Sequence, residues 1–256
     1  MAVAVLTRDD VAAYASALAP LGLDVVAMPV TKSAPPEDPD ALARALDTGA
    51  YAAIVVASAR AAQELARAAT ALASVHTTLP DLPDVWAVGP ATKRALDQAK
   101  LPAHQPAGVR DGVELARALV AAKQLRGKRV LVPRAEDGRS EPLDILRAAG
   151  ADVVDVIAYR TLAVAPDDAV LAEGADLLVR GGAAICGVFA PSQVSALAAA
   201  IAARDHELAG LVTQFCAIGD TTAAALRAAG IQDVAVAVSP TPEGMAQACR
   251  SVYPTR

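Results

Sequence analysis

The chain has 256 residues, of which 54% are hydrophobic and much of that share is alanine, so one large or two small helix-rich domains fit its length. Only 3% are aromatic and the formal net charge is −5. These values argue against a stacking platform for single strands and against a broad basic face, so no nucleic-acid partner is expected.

Taken in chain order, "MAVAVLTRDD" carries an apolar run of five residues after Met1 with no basic stretch before it. That run is too short for a signal peptide, and it reads as a first strand ending at Thr7-Arg8 in a cytoplasmic protein. "LAPLGLDVV" is a helix end, a glycine cap at Gly22 and a strand. "DVVAMPVTKSAPPEDPD" starts as a strand and runs extended into Pro35, Pro36 and Pro39. "YAAIVVASARAAQEL" is a strand, a turn at Ser58 and Ala59, and a helix. "AVGPATKRAL" repeats the scheme: a strand to Val88, a tight turn at Gly89, Pro90 opening the helix, and Thr92 in its first turn. "GKRVLVPRAEDGR" is a strand ending at Arg134, and "LRAAGADVVDVIAYRTLAVAPDD" passes through Gly150 into a long extended segment holding Tyr159. "GGAAICGVFAPSQVSALAAAIAA" is apolar but broken by Gly182, Gly187, Pro191, Ser192 and Gln193, so a strand, turn and helix explain it better than a membrane span. "AIGDTTAAAL" closes the series with Gly219, Asp220, Thr221 and Thr222.

These segments echo one another. "VLTR" and "VLVPR" end 126 residues apart, Gly22 and Gly150 lie 128 apart, Ser58 and Ala190 132, and Gly89 and Gly219 130. Self-similarity at about half the chain length indicates duplication. Val/Ile-rich runs alternating with helical segments predict two similar three-layer α/β lobes with parallel sheets, joined by a two-stranded connector, with a cleft between them. The two proline-flanked extended segments, 26–35 and 156–163, are the candidate connectors. On that reading residues 1–30 plus 164–256 form a discontinuous first lobe and 36–155 the second; a single split near Leu125 is the alternative from periodicity alone.

Helix starts expose unpaired N–H groups and a positive dipole end, and ligands of open α/β sheets sit at the carboxyl ends of strands. The four turns at Ser58-Ala59, Gly89 to Thr92, Pro191-Ser192 and Gly219 to Thr222 are therefore candidate anion sites, with plain helix capping as the competing reading. None carries the spaced glycines of a nucleotide fingerprint. Arg8 and Arg134, each following a first strand, either pair a ligand carboxylate or remain surface charges. Tyr159 either packs at the connector or serves as a neutral proton donor. Cys186, Cys216 and Cys249 have no motif spacing and read as buried free thiols. His76, His104 and His206 form no ligand pair, and neither a metal nor a nucleophile–base set is expected.

The ordered set "VLTR", "VASARAA", "AVGPATKRAL", "GKRVLVPRAEDGR", "LRAAGADVVDVIAYRTL", "FAPSQV", "AIGDTTAAAL" and "VSPTPEGM" resembles the uroporphyrinogen-III synthase family over nearly the whole chain. The resemblance implies two α/β lobes and a carbon–oxygen lyase that needs no cofactor. Its substrate would be hydroxymethylbilane, a linear tetrapyrrole with many carboxylates, closed with loss of water and inversion of the last ring to uroporphyrinogen III. It assigns Tyr159 the role of weak acid for the leaving hydroxyl. It places Ser58, Thr92 and Thr222 along the cleft, and Arg8 and Arg134 at the ends of the two first strands. Orientation of the chain before closure would carry most of the catalysis. Two departures stand out: Ala190 replaces a family serine and Arg60 a small polar residue. A monomer without membrane association is expected. A non-catalytic two-lobed binder of a polyanionic small molecule is the competing function.

Overall fold

A computed structural model describes residues 2–76 and 82–253; the side chains of Val75 and His76 lie outside the described set, and the reading of His76 falls there with them. The chain divides into two compact units, Met1–Lys32 with Leu162–Arg256, and Ser33–Thr161.

The elements run β1 (Ala2–Leu6), α1 (Ala12–Leu18), β2 (Leu23–Ala27), β3 (Thr31–Ala34), α2 (Ala41–Thr48), β4 (Ala53–Val56), α3 (Ala59–His76), β5 (Val85–Ala87), α4 (Gly89–Gln98), β6 (Ala103–His104), α5 (Gly112–Ala122), β7 (Arg129–Ala135), α6 (Glu141–Ala148), β8 (Asp152–Ala163), α7 (Ala172–Val179), β9 (Ala183–Val188), α8 (Pro191–Ala202), β10 (Gln214–Ala217), α9 (Asp220–Ala228), β11 (Val234–Val236) and α10 (Pro242–Val252). Strand order is β11-β10-β9-β1-β2 in one sheet and β6-β5-β4-β7-β8-β3 in the other. The pairings of β1 with β2 and β9, of β10 with β9 and β11, of β4 with β5 and β7, of β5 with β6, and of β7 with β8 are all parallel. If β7 is laid on β1, β8 on β2, and β4, β5 and β6 on β9, β10 and β11, the five-strand order is the same in both units. It is the doubly wound arrangement in which the order reverses between a first strand and its neighbour.

The sequence dictates this layering through alternation. In the first unit Val5 joins a core with Cys186, Phe215 and Leu197 on one face, while Ala4 and Leu6 join Ile185, Cys216 and Met245 on the other. In the second unit Ile54, Val56 and Leu131 pack against Leu65 and Leu96, whereas Val55, Val130 and Val132 pack against Leu115 and Leu146. A period of two with both faces apolar is what a parallel sheet covered by helices on both sides requires. Gly22 (φ 71°) and Gly150 (φ 82°) turn the helix into the next strand in the two copies, a left-handed conformation that favours glycine. Among the described residues no helix is long and apolar enough to cross a membrane.

Candidate functional site

In an open parallel sheet the turns flanking the point of order reversal diverge and leave a crevice at the strands' carboxyl ends. In the second unit that point lies between β7 and β4. A cavity of about 300 Å³ opens there, lined by Ser58 after β4, Arg134 at the end of β7, Tyr159 on β8, and the starts of α5 and α6. Ser58 and Tyr159 are 101 residues apart in sequence, yet their hydroxyl oxygens lie 3.2 Å apart. Ser58 Oγ also accepts the Ala61 backbone N–H at 3.0 Å, so it caps α3 as well. Tyr159 follows a break in the β7–β8 register: Arg134 pairs with Ile157 and Ala135 with Tyr159. The extra residue, Ala158, is a bulge that re-aims the strand where the tyrosine meets the cavity.

Arg134 lines the same cavity, but its guanidinium is already engaged. Its Nε and Nη2 donate to the two carboxylate oxygens of Asp155 at 2.7 and 2.9 Å, and its Nη1 donates to the carbonyls of Ala135, Glu136 and Gly138. The hydrogen bonds to Asp155 hold the guanidinium's pKa above the ordinary arginine value. A ligand carboxylate would have to displace Asp155 to reach the fork of Arg134.

In the first unit the reversal lies between β1 and β9. Thr7 is fully buried there; its hydroxyl contacts the Gly187 carbonyl at 3.1 Å and the Gln193 Oε1 at 2.7 Å, and that oxygen also accepts the Phe189 N–H at 2.9 Å. Arg8 follows. Its guanidinium carbon sits 4.7 Å from the centre of the Tyr14 ring and 5.0 Å from that of Phe189, and Nη1 donates to the Tyr14 hydroxyl at 3.2 Å. Two aromatic faces stabilise the cation, and its Nε is buried with no hydrogen-bond partner among the described residues. Burial, only partly offset by Arg8, pushes the Tyr14 hydroxyl above its ordinary pKa.

The other expected residues fall into two groups. Pro191, Ser192 and Thr221 are exposed at the starts of α8 and α9, with Gly219 immediately before α9, and Ala59 begins α3. Gly89, at φ 68°, begins α4 in the left-handed region. Thr92 and Thr222, by contrast, are 4% and 1% exposed, so they offer a ligand almost no surface within their own units. Ala190 is the extended N-cap of α8 and makes no side-chain cap. Arg60 pairs with the nearly buried Glu64 at 3.0 Å. Sequence reasoning missed Gln193, Tyr14 and Phe189, and also Arg110, Asp111 and Arg139, which line the second unit's cavity. Arg110 is bound to Glu114 at 2.7 Å. Among the described residues Arg139 reaches only Asp111, at 3.5 Å. Asp111 in turn caps α5 by accepting the Glu114 N–H at 2.9 Å. All three cysteines are free and buried, and among the residues described no cluster of three or more His, Cys, Asp or Glu side chains could hold a metal ion.

Two α/β units, each a doubly wound parallel sheet with candidate polar residues at its order reversal, define the fold class of the protein. A family model described as uroporphyrinogen-III synthase HemD matches residues 12–247. The chain belongs to the uroporphyrinogen-III synthase family. Among solved structures it resembles a mutant uroporphyrinogen III synthase of the extreme thermophile Thermus thermophilus, at 22% identity over 98% of each chain with a TM-score of 0.61. It also resembles uroporphyrinogen-III synthetase of Helicobacter pylori, at 18% identity over 98% of this chain and 99% of that one, with a TM-score of 0.60. Both likenesses show the two-lobed fold. No curated protein matches the sequence.

Proposed function

We propose that the chain is a carbon–oxygen lyase that cyclises hydroxymethylbilane to uroporphyrinogen III, with Tyr159 as the proton donor, and that it acts as a cytoplasmic monomer. The observation that carries the assignment of Tyr159 is its hydroxyl contact with Ser58 at the wall of the cavity. Ser58 Oγ accepts the Ala61 N–H. Its own proton is then free to go to Tyr159, which leaves the phenol proton to face the cavity. The terminal pyrrole nitrogen pushes an electron pair toward its hydroxymethyl carbon. The C–O bond breaks, and the hydroxyl leaves as water with the Tyr159 proton. The exposed cationic carbon is then captured at the substituted α-carbon of the pyrrole at the other end of the chain; the bond from that carbon to its bridging methylene breaks, and the methylene cation so formed bonds to the ring's free α-carbon, whose released proton restores the phenol and leaves the ring inverted. A weak acid suffices because the substrate supplies the driving electron pair. The protein's larger task is to hold the chain so that the inverted ring closes.

The test is to supply freshly generated hydroxymethylbilane, oxidise the products and resolve the type I and type III isomers. A marked excess of type III over the enzyme-free control supports the reading. A mixture matching that control overturns it, and saturable uroporphyrinogen binding without turnover would leave a binding protein in its place.

A further inference from the structure

We propose that Arg139 is a carboxylate-binding residue that fixes one acidic arm of the substrate beside the Ser58–Tyr159 pair, and that Arg134 is the positioning residue that presents it. The inference rests on the cyclising activity proposed above and adds to it a specific anchor. Three arginines line the cavity, and their commitments differ. Arg134 spends its donors on Asp155 and three backbone carbonyls. Arg110 is held by Glu114 through both its side chain and its backbone N–H. Among the described residues Arg139 has a single long contact, Nη2 to Asp111 Oδ2 at 3.5 Å, and its side chain is 55% exposed. The other oxygen of Asp111 is engaged in capping α5. Arg139 is therefore the cation of this cavity whose fork is open to an incoming carboxylate.

The loop that carries it is built rather than loose. The carbonyls of Ala135, Glu136 and Gly138 wrap around the Arg134 guanidinium. Gly138 makes the wrap possible: a Cβ there would lie 3.0 Å from the Ala135 oxygen and 3.4 Å from Arg134 Nη1. Glu136 N–H donates to the Tyr159 carbonyl at 3.0 Å, so the same loop is tied to the strand bearing the proposed acid. A second close approach sets the opposite wall. A Cβ on Gly112 would meet Pro142 Cγ at 3.2 Å and Ala57 Cβ at 3.4 Å, so this glycine lets the start of α5 sit against the start of α6 and the Ser58 turn. Arg139 thus stands at a fixed place on the rim, on a loop stiffened by an ion pair that is itself not offered to ligand.

Arg139→Ala, Arg139→Lys and Asp155→Asn, made in the full chain, test this by steady-state kinetics and by the type III to type I ratio. Loss of one charged contact predicts that Arg139→Ala raises KM about tenfold or more with kcat changed far less, because the contact is made in ground and transition states alike. Lysine should restore part of the loss, since it keeps the charge but not the fork. Asp155→Asn frees the guanidinium of Arg134 and loosens the loop, so it should raise KM and also lower the type III share, which a purely stabilising ion pair would not do. A direct readout is the affinity for uroporphyrinogen by fluorescence, where Arg139→Ala should weaken binding by a similar factor. If the native chain gives no excess of type III, the activity itself is wrong. If the native chain is active and both Arg139 variants keep KM and product affinity within twofold, the anchor is overturned. If Asp155→Asn leaves KM and the isomer ratio untouched, the positioning role of Arg134 falls.

Discussion

The Ser58–Tyr159 contact ties the cap of α3 to the proposed proton donor, so stability and rate should respond to its loss in different ways. Ser58→Ala removes the α3 cap, at about 1 kcal/mol, and the bond to Tyr159, at about 0.5–1 kcal/mol for a half-buried neutral pair. It should therefore cost about 1.5–2 kcal/mol, or about 4–8 °C in Tm for a unit of this size. Tyr159→Phe loses only the shared bond, about 0.5–1 kcal/mol. The double variant should fall short of additivity by that same margin of about 0.5–1 kcal/mol, because one bond is counted in both singles. The kinetics separate differently. Tyr159→Phe removes the proton donor and should lower kcat about ten- to a hundredfold, the value of one hydrogen bond to a developing charge. Ser58→Ala removes only the group that orients the phenol and should lower kcat a few-fold, and the double variant should be no slower than Tyr159→Phe alone. Thermal melts with single-turnover isomer assays on the four proteins complete the cycle. Rate losses that simply multiply would show that the two hydroxyls act separately. A Tyr159→Phe protein of normal rate and stability would remove the phenol from the mechanism.

Other parts of the molecule carry three further expectations. A Cβ at Gly244 would fall 2.2 Å from the Ser239 carbonyl oxygen, so Gly244→Ala must push the turn away and break the cap in which Thr241 accepts the Gly244 N–H at 3.1 Å; a loss of about 2–4 kcal/mol is expected by denaturant unfolding. Burial pushes the Cys186 thiol up to about 12, so the folded protein should not be alkylated there at neutral pH, while denatured protein should react at once. Burial holds the folded pKa of Tyr14 above its ordinary value of 10.0; the unfolded state gives up this proton first, so stability should decline as pH rises past 10, and Tyr14→Phe should flatten that decline in a melt series.

The α/β character was readable because it depends on local pattern: alternating apolar runs, glycine caps and proline helix starts recur twice in one order. The site was readable only in part, because parallel strands bring together residues that no sequence window contains. Ser58 and Tyr159 stand out in separate motifs, and nothing in the sequence says that they touch across 101 positions. Arg134 looked like a ligand-facing cation because its acceptor, Asp155, stands 21 residues on and meets it only through the register of β7 with β8. Arg139 carries the same residue type in the same motif, but its openness depends on a carbonyl wrap invisible in sequence. In the "FAPSQV" turn the serine drew attention, yet it is Gln193 that is buried and bridges Thr7 to the Phe189 amide. Thr92 and Thr222 were visible as helix-start hydroxyls, while their burial follows from helix packing on the sheet.

The interior position of β1 in its sheet, between β9 and β2, has a consequence for biosynthesis. One of its neighbours, β9, lies far along the chain, and Thr7 meets the Gly187 carbonyl across 180 residues. At about 5–20 residues per second, the ribosome needs about 10–40 s to deliver that partner. Over that interval the contiguous unit Ser33–Thr161 can be completed, while β1 and β2 wait with a two-sided apolar strand and an unfilled edge. The first thirty residues are thus the part of the nascent chain most dependent on chaperone cover, and slowed translation before Ala183 should aggravate aggregation more than slowing after Val188.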